Sequence, residues 1–380
     1  MTKSLDFLPA VALLVGSVVG AGFLGIPYVV ARIGFPLGLL LILGLGLLMM
    51  VQYLAIAEVT LRTKGKHQVA GYVERYLGAK WKKFAYAVVV LESYGVLLAF
   101  MVGEGQVLSA LFGGSPFLFS YLFFAVVALI IFFGIRLVER VDLLLTTAVS
   151  LVILGLAFAS WSSLSFDNFL KVDFTEFFPA YGVVLFAFLG ASAIPEMRLA
   201  LAGREKRFSR SVVIGTFIPI ALYTLFTIAV LGVTGLETTP IATIGLGRHL
   251  GGAVMLFGNL LAVITMTTSF LGIALGLRET FQYDLRLNKN ESWILTCAVP
   301  VILFSFGIHN FIGIIGFVGA ILGGFLGILL VFTAHRAEQL GDRKPEFVLP
   351  HKVFFGSLLA LVFAIGIVST LWGLLGPRLV

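Results

Sequence analysis

Residues 16–27 read Gly16-Ser17-Val18-Val19-Gly20-Ala21-Gly22-Phe23-Leu24-Gly25-Ile26-Pro27, which puts four glycines and a proline inside an apolar segment long enough to span a bilayer. Both residue types weaken an α-helix, glycine through backbone entropy and proline by removing a donor and clashing one turn back. An unpaired backbone amide is costly in hydrocarbon. A broken helix therefore survives at membrane depth only where protein covers it or where it lines a cavity. The segment predicts a helix interrupted inside a bundle, with the function at the interruption.

The rest of the chain supplies the membrane. Its residues are 59% hydrophobic and 12% charged, with a mean hydropathy of +1.08, against about 25% charged in a soluble domain. Apolar runs of about 20 residues recur throughout. They are read as spans 7–32, 36–60, 83–112, 117–137, 142–161, 178–202, 209–234, 248–277, 292–308, 310–335 and 352–376. No polar block is large enough for a soluble domain, so residues 1–380 are expected to form a single transmembrane domain. The first run is too long for the apolar core of a cleavable signal. The lone Cys297 excludes a disulfide framework and any multi-cysteine metal site.

A net charge of +7 could suggest nucleic acid, but its placement argues otherwise. With the N-terminus cytoplasmic, all of the 26 Lys and Arg residues except Arg32, Lys171, Arg248 and Arg378 fall at inner ends or loops, from Lys3 through Arg136 and Arg140 to Lys352. Such a bias orients a membrane protein. The expected partners are the lipid bilayer and a small solute, with no nucleic acid. The oligomeric state is left open.

The sixth span repeats the oddity of the first. Val184-Leu185-Phe186-Ala187-Phe188-Leu189-Gly190-Ala191-Ser192-Ala193-Ile194-Pro195 again carries a glycine followed by Ile-Pro, with Gly190 to Pro195 spaced as Gly22 to Pro27. Paired interruptions in corresponding segments of two halves point to a transporter site. The first and sixth spans run in opposite directions, which predicts an inverted repeat. The expected fold is an all-α polytopic membrane protein of eleven transmembrane helices. It comprises a 5+5 inverted repeat (residues 7–161 and 178–335) with discontinuous helices 1 and 6, plus a peripheral helix at 352–376.

At these residues the chain resembles the amino acid/auxin permease family, within the amino acid–polyamine–organocation superfamily. The first-helix pattern G-x-x-G-A-G-x-L-x-x-P-Y is matched up to Pro27-Tyr28, and the sixth-helix F-x-F-x-G…P by Phe186, Phe188, Gly190 and Pro195. Thr268-Ser269-Phe270-Leu271-Gly272-Ile273-Ala274-Leu275-Gly276-Leu277 is similar to the tryptophan/tyrosine permease branch. The chain departs from the aromatic permeases where they tend to carry a histidine beside the sixth-helix glycine. Here that region reads Leu189-Gly190-Ala191-Ser192. The resemblance implies an inner-membrane amino acid permease working by alternating access as a symporter. The N-terminus would be cytoplasmic and the C-terminus outside.

An amino acid brings two charges that must be met on desolvation. Free amides at Ala21–Phe23, at the positive end of a half-helix dipole, suit the carboxylate. Carbonyls freed around Phe188–Gly190 suit the ammonium. The expected substrate-binding set is Ser17, Gly20, Ala21, Gly22, Phe186, Phe188, Gly190 and Ser192.

No cofactor is expected beyond a coupling ion, sodium or proton. The resemblance to sodium-coupled relatives implies that Thr267, Thr268 and Ser269 meet the carbonyls of Gly16 and Val19 around a hard cation. Hydroxyls bonded back to their own helix are the bland alternative. Proton coupling needs an ionisable group in the membrane. Glu92 and Glu104 qualify, roughly 13 and 31 Å along the third span from Lys83. That places Glu104 toward the outer surface, as a gate or cavity residue or as an interfacial carboxylate. Glu58 and Glu196 are expected to pair with Arg62 and Arg198 at cytoplasmic ends.

Other functions fit less well. A metal transporter on this fold would want an acidic or amide ligand in the first break and Met or His in the sixth, and neither is present. No motif of intramembrane hydrolytic enzymes occurs. An amino acid sensor that binds without pumping stays open as the alternative function; such a sensor usually carries an appended signalling tail, and the chain ends just past its last span.

Overall fold

The computed structural model describes residues 7–134 and 142–375; Lys3, Arg136, Arg140 and Arg378 lie outside them. The described residues are helical, with no strand among them. In chain order the helices are α1 (Leu8–Val18), α2 (Ile26–Ile33), α3 (Phe35–Arg62), α4 (Val69–Leu77), α5 (Ala79–Phe112), α6 (Pro116–Phe133), α7 (Asp142–Ser160) and α8 (Phe177–Ala187). There follow α9 (Ala193–Ala200), α10 (Phe208–Thr234), α11 (Ala242–Leu250), α12 (Gly252–Asp284), α13 (Lys289–Ser305), α14 (Phe311–Phe317), α15 (Gly324–Leu340) and α16 (Lys352–Leu375). A 3-10 turn at Ala21–Gly25 joins α1 to α2, and a π turn at Val318–Gly323 joins α14 to α15.

Among the described residues seven helical runs are long and apolar enough to cross a membrane, and the first span adds a pair bent by 46°. The expected fifth span is α7, 19 residues long; the sixth and ninth are shorter helices. The sixth is short because it is broken, α8 and α9 being separated by residues 188–192. Pro27 is the second residue of α2 and Pro195 the third of α9. In a first turn a missing N–H loses no helical bond, so each proline restarts a helix just past its break.

Two helices escape the apolar-run reading. α4 lies in the basic loop after α3 and buries Val69, Tyr72, Val73 and Tyr76, one stripe of an amphipathic helix. α11 takes the residues expected to begin the eighth span. Gly251, at φ 83°, separates it from α12, so that span starts at Gly252.

Small residues let the broken spans sit close to their neighbours. α8 meets the turn after α14 backbone to backbone, since a Cβ on Gly182 would strike the Gly316 carbonyl and one on Gly319 the Gly182 carbonyl. Without a hydrophobic force between helices in lipid, such close approach is a main source of association.

On the expected cytoplasmic side, Glu58 is buried and fully engaged. It accepts from Arg62 at 2.7 Å, from the Leu349 amide at 2.9 Å, and from Lys352. Asp342 accepts from the Lys64 amide at 3.1 Å and from Arg75 at 2.6 Å, which together hold its carboxyl below the usual carboxylate range. Arg198 of α9 donates to the Gly65 carbonyl at 3.3 Å. The expected pairing of Glu58 with Arg62 is present, within a larger lattice in which Lys352 of α16 also pairs with Glu338 of α15 at 3.4 Å.

Candidate functional site

The two interruptions lie against each other inside the bundle. Gly22 sits so close to α8 that a Cβ would fall 2.8 Å from the Phe186 ring and 3.0 Å from the Ala187 Cα. Gly190 sits under α1, where a Cβ would stand 3.7 Å from Ser17 Oγ and 3.2 Å from Tyr53 Oη. Gly20 faces α12, with Ser269 Oγ 3.5 Å from the place of a Cβ. Thus Gly20, Gly22, Phe186, Gly190, Ser17 and Ser269 are gathered into one junction of α1, α8 and α12.

The backbone is open there for simple reasons. Val19 still donates to Val15, but Gly20 turns back to Val18 at 2.8 Å and the chain tightens into the 3-10 turn. The amides of Ala21 and Gly22 head that turn, where a helix has no acceptor of its own to offer. Both residues are buried. Dry amides at the positive end of a half-helix suit a carboxylate.

The carbonyl side differs from expectation. Of the three carbonyls from Phe188 to Gly190, Phe188 O accepts from Tyr53 and Gly190 O accepts from the Ala193 amide at 3.1 Å. Tyr223 Oη lies 2.7 Å from Val18 O and 2.9 Å from Ala187 O. Sequence reasoning missed both tyrosines. The available signal was that a tyrosine buried in an apolar helix must still find a partner for its hydroxyl. The Phe188 ring is packed against Tyr223 in the α3–α10 interface, with Gly46 of α3 beside it. Phe186 alone of the two aromatics covers Gly22.

The hydroxyls expected to act together point apart. Thr267 Oγ1 donates to Glu104 Oε1 at 2.7 Å. Thr268 Oγ1 donates back to the Ile264 carbonyl at 2.8 Å, as hydroxyls in helices commonly do. Ser269 alone faces the first break. Glu104 is fully buried, and its Oε2 has no partner among the described residues. Full burial excludes the exposed, interfacial reading of Glu104 and is compatible with the gate or cavity reading. The flanking Gly103 packs on Met266 and Phe311, and Gly105 on Ser120, which brings protein around the carboxyl on several sides. Glu92 is half-buried and makes no hydrogen bond or ion pair among the described residues.

One flank of the junction is open. Ser17 and Ser192 are exposed, and Gly16 and Ala191 are partly so. The opposite flank is closed, with Ala21–Pro27 and Val183–Phe188 buried and α11 packed against α2, α10 and α12. An apolar cleft of about 460 Å³ between α3, α15 and α16 includes no residue of either break.

Comparison with known proteins places this architecture. A model of the tryptophan/tyrosine permease family matches residues 3–373. The chain belongs to that family. The permease is 27% identical to tyrosine-specific transport system 1 of Haemophilus influenzae, over 94% of both chains. It is likewise 27% identical to tyrosine-specific transport system 2 of that organism, over 99% of both. The crystal structure of MhsT in complex with L-phenylalanine superposes with a TM-score of 0.70 over 98% of both chains at 16% identity, so the permease shares its fold. Family membership makes the chain a membrane transporter and not an enzyme.

Proposed function

We propose that this permease imports a neutral aromatic amino acid, with L-tyrosine the first substrate to test, by cation-coupled alternating access. The observation that carries the reading is the contact of the two breaks, Gly22 against Phe186 and Gly190 against Ser17. Free amides from one half-helix and helix-end carbonyls from another stand within one junction, as a zwitterion requires. The substrate carboxylate is assigned to the amides of Ala21 and Gly22. The ammonium is assigned to the carbonyls left at the ends of α1 and α8, with Gly20 and Ser192 lining the open flank. Phe186 covers the substrate. The names of the two tyrosine transport relatives support the aromatic side chain.

The reading carries a topology with it. Eleven spans form a 5+5 inverted repeat plus α16, in the inner membrane, with the N-terminus cytoplasmic. The crossing of Tyr53 and Tyr223, each at a similar remove from Pro27 or Pro195, supports the repeat. On this orientation the open flank faces the cytoplasm.

For the coupling ion the proton is the better-supported choice. Thr267 and Thr268 are engaged away from α1, whereas Glu104 keeps one buried oxygen without a partner. A sodium ion between Ser269 and the carbonyls of Gly16 and Val19 is the competing assignment. A thermal-shift screen of the twenty amino acids, with and without sodium and at two pH values, tests both parts through stabilisation by bound ligand. Tyrosine is expected to raise the melting temperature without sodium. Stabilisation by no amino acid would refute the substrate class, and strict sodium dependence would refute the proton.

A further inference from the structure

The two unbroken helices that follow the breaks reach across to each other's interruption. α3 follows the first broken span, and its Tyr53 hydroxyl donates to Phe188 O in the second break. α10 follows the second broken span, and its Tyr223 hydroxyl meets Val18 O at the end of α1 and Ala187 O at the end of α8. Both side chains are fully buried. The Tyr223 ring is stacked on Phe23 at 6.0 Å and tilted against Phe188 at 5.1 Å, so rigid packing delivers the hydroxyl. α3 and α10 also pack along each other.

The electrostatics make this contact consequential. Val18 and Ala187 are the last residues of α1 and α8, so their carbonyls carry the negative ends of two half-helix dipoles. Two such ends brought to one point repel unless something positive stands between them. A phenol proton stands there. It serves one carbonyl at a time, and both lie within its reach.

We propose that Tyr223 and Tyr53 are positioning residues for transport, a crossed pair of phenols that holds the two breaks in the register at which a zwitterionic substrate can bridge them. The proposal rests on the reading of the junction as an amino acid site. With the register held, the amides of Ala21 and Gly22 and the facing carbonyls need no ordering when substrate arrives, and preorganisation of this kind appears as affinity. Removal of a phenol hydroxyl therefore falls on substrate affinity and leaves saturated turnover nearly intact.

The test is counterflow of L-tyrosine in proteoliposomes by Tyr223→Phe, which keeps the ring and its packing, and by Tyr53→Phe. Tyr181→Phe is the control, because its hydroxyl ties α8 to the Val362 carbonyl of α16, outside the junction. KM is expected to rise about tenfold in Tyr223→Phe, equivalent to about 1.4 kcal/mol, and in the same direction in Tyr53→Phe. Vmax is expected to stay within about threefold, the signature of lost binding without lost turnover. Tyr181→Phe should leave both constants unchanged. An unchanged KM in Tyr223→Phe, a collapse of Vmax alone, or an equal KM rise in Tyr181→Phe overturns the proposal. If Tyr223→Phe does not accumulate as folded protein, Tyr53→Phe carries the same prediction alone. Absence of tyrosine counterflow by the unmodified permease overturns the functional reading, and the proposal with it.

Discussion

The junction of the two breaks and the charged lattice around Glu58 solve the same problem in opposite ways. Both place polar groups where water is scarce. At Glu58 each carboxylate oxygen is taken, with Arg62, Lys352 and the Leu349 amide as donors. At the junction no charged side chain among the described residues serves the breaks; phenols meet three carbonyls, while the amides of Ala21 and Gly22 head a turn with no helical acceptor. Full satisfaction locks helices together. Incomplete satisfaction leaves room for a ligand to finish the set, because the amides gain most when a partner arrives. Glu104 belongs with the junction in this respect, with one oxygen held by Thr267 and one left over.

The largest effect expected from this contrast is at Gly22. Gly22→Val puts a branched side chain into the Phe186 ring and the α8 backbone, and uptake should be abolished while folded protein remains in the membrane. Gly272→Ala, which adds a methyl group to open space, should transport normally. Radiolabelled tyrosine uptake per folded molecule checks the pair, and normal uptake by Gly22→Val would remove the junction from the transport path.

Next comes Glu104. Glu104→Gln keeps shape and the Thr267 contact but cannot carry a proton, so accumulation driven by a pH gradient should be lost while counterflow persists. Retained gradient-driven accumulation would transfer the coupling role elsewhere, with Glu92 the next group to test.

Glu58→Gln should behave as a lattice mutation. Breaking a buried ion pair by removing one partner costs about 3 kcal/mol or more, so thermal stability falls while KM for tyrosine is unaffected. A raised KM with normal stability would erase the distinction between the two regions.

The smallest effect belongs to Asp342. The Lys64 amide and Arg75 depress its folded pKa, so its contribution is present above the unfolded value of about 3.9 and is lost as pH falls through the folded pKa. Asp342→Asn should lower the melting temperature slightly near neutrality and flatten its decline in acid. A steeper acid decline in the variant would contradict the assignment.

The same contrast separates what sequence alone reveals from what it hides. The breaks are legible because Gly and Ile-Pro inside an apolar run conflict with an unbroken helix, and the conflict occurs twice. The Glu58–Arg62 pair is legible because four residues on a helix bring side chains together. α4 and α11 are not, since each is too short for an apolar-run signal and one sits among basic residues. Tyr53 and Tyr223 are hidden for a different reason. Their partners, Phe188, Val18 and Ala187, are remote in the chain and act through carbonyls, which every residue has. The burial of Glu104 is hidden because the groups that cover it, Met266, Phe311 and Ser120 beside its flanking glycines, are not its sequence neighbours, and the parting of Thr267, Thr268 and Ser269 by the turn of a helix, which sends adjacent side chains to different neighbours.

The central claim is that the junction of α1 and α8 carries an amino acid across the membrane. Counterflow tests it most directly, with labelled L-tyrosine outside proteoliposomes, unlabelled L-tyrosine inside, and no ion gradient. The account predicts rapid uptake that depends on internal tyrosine and is absent in Gly22→Val. Binding of tyrosine without counterflow, as a sensor would show, would contradict it.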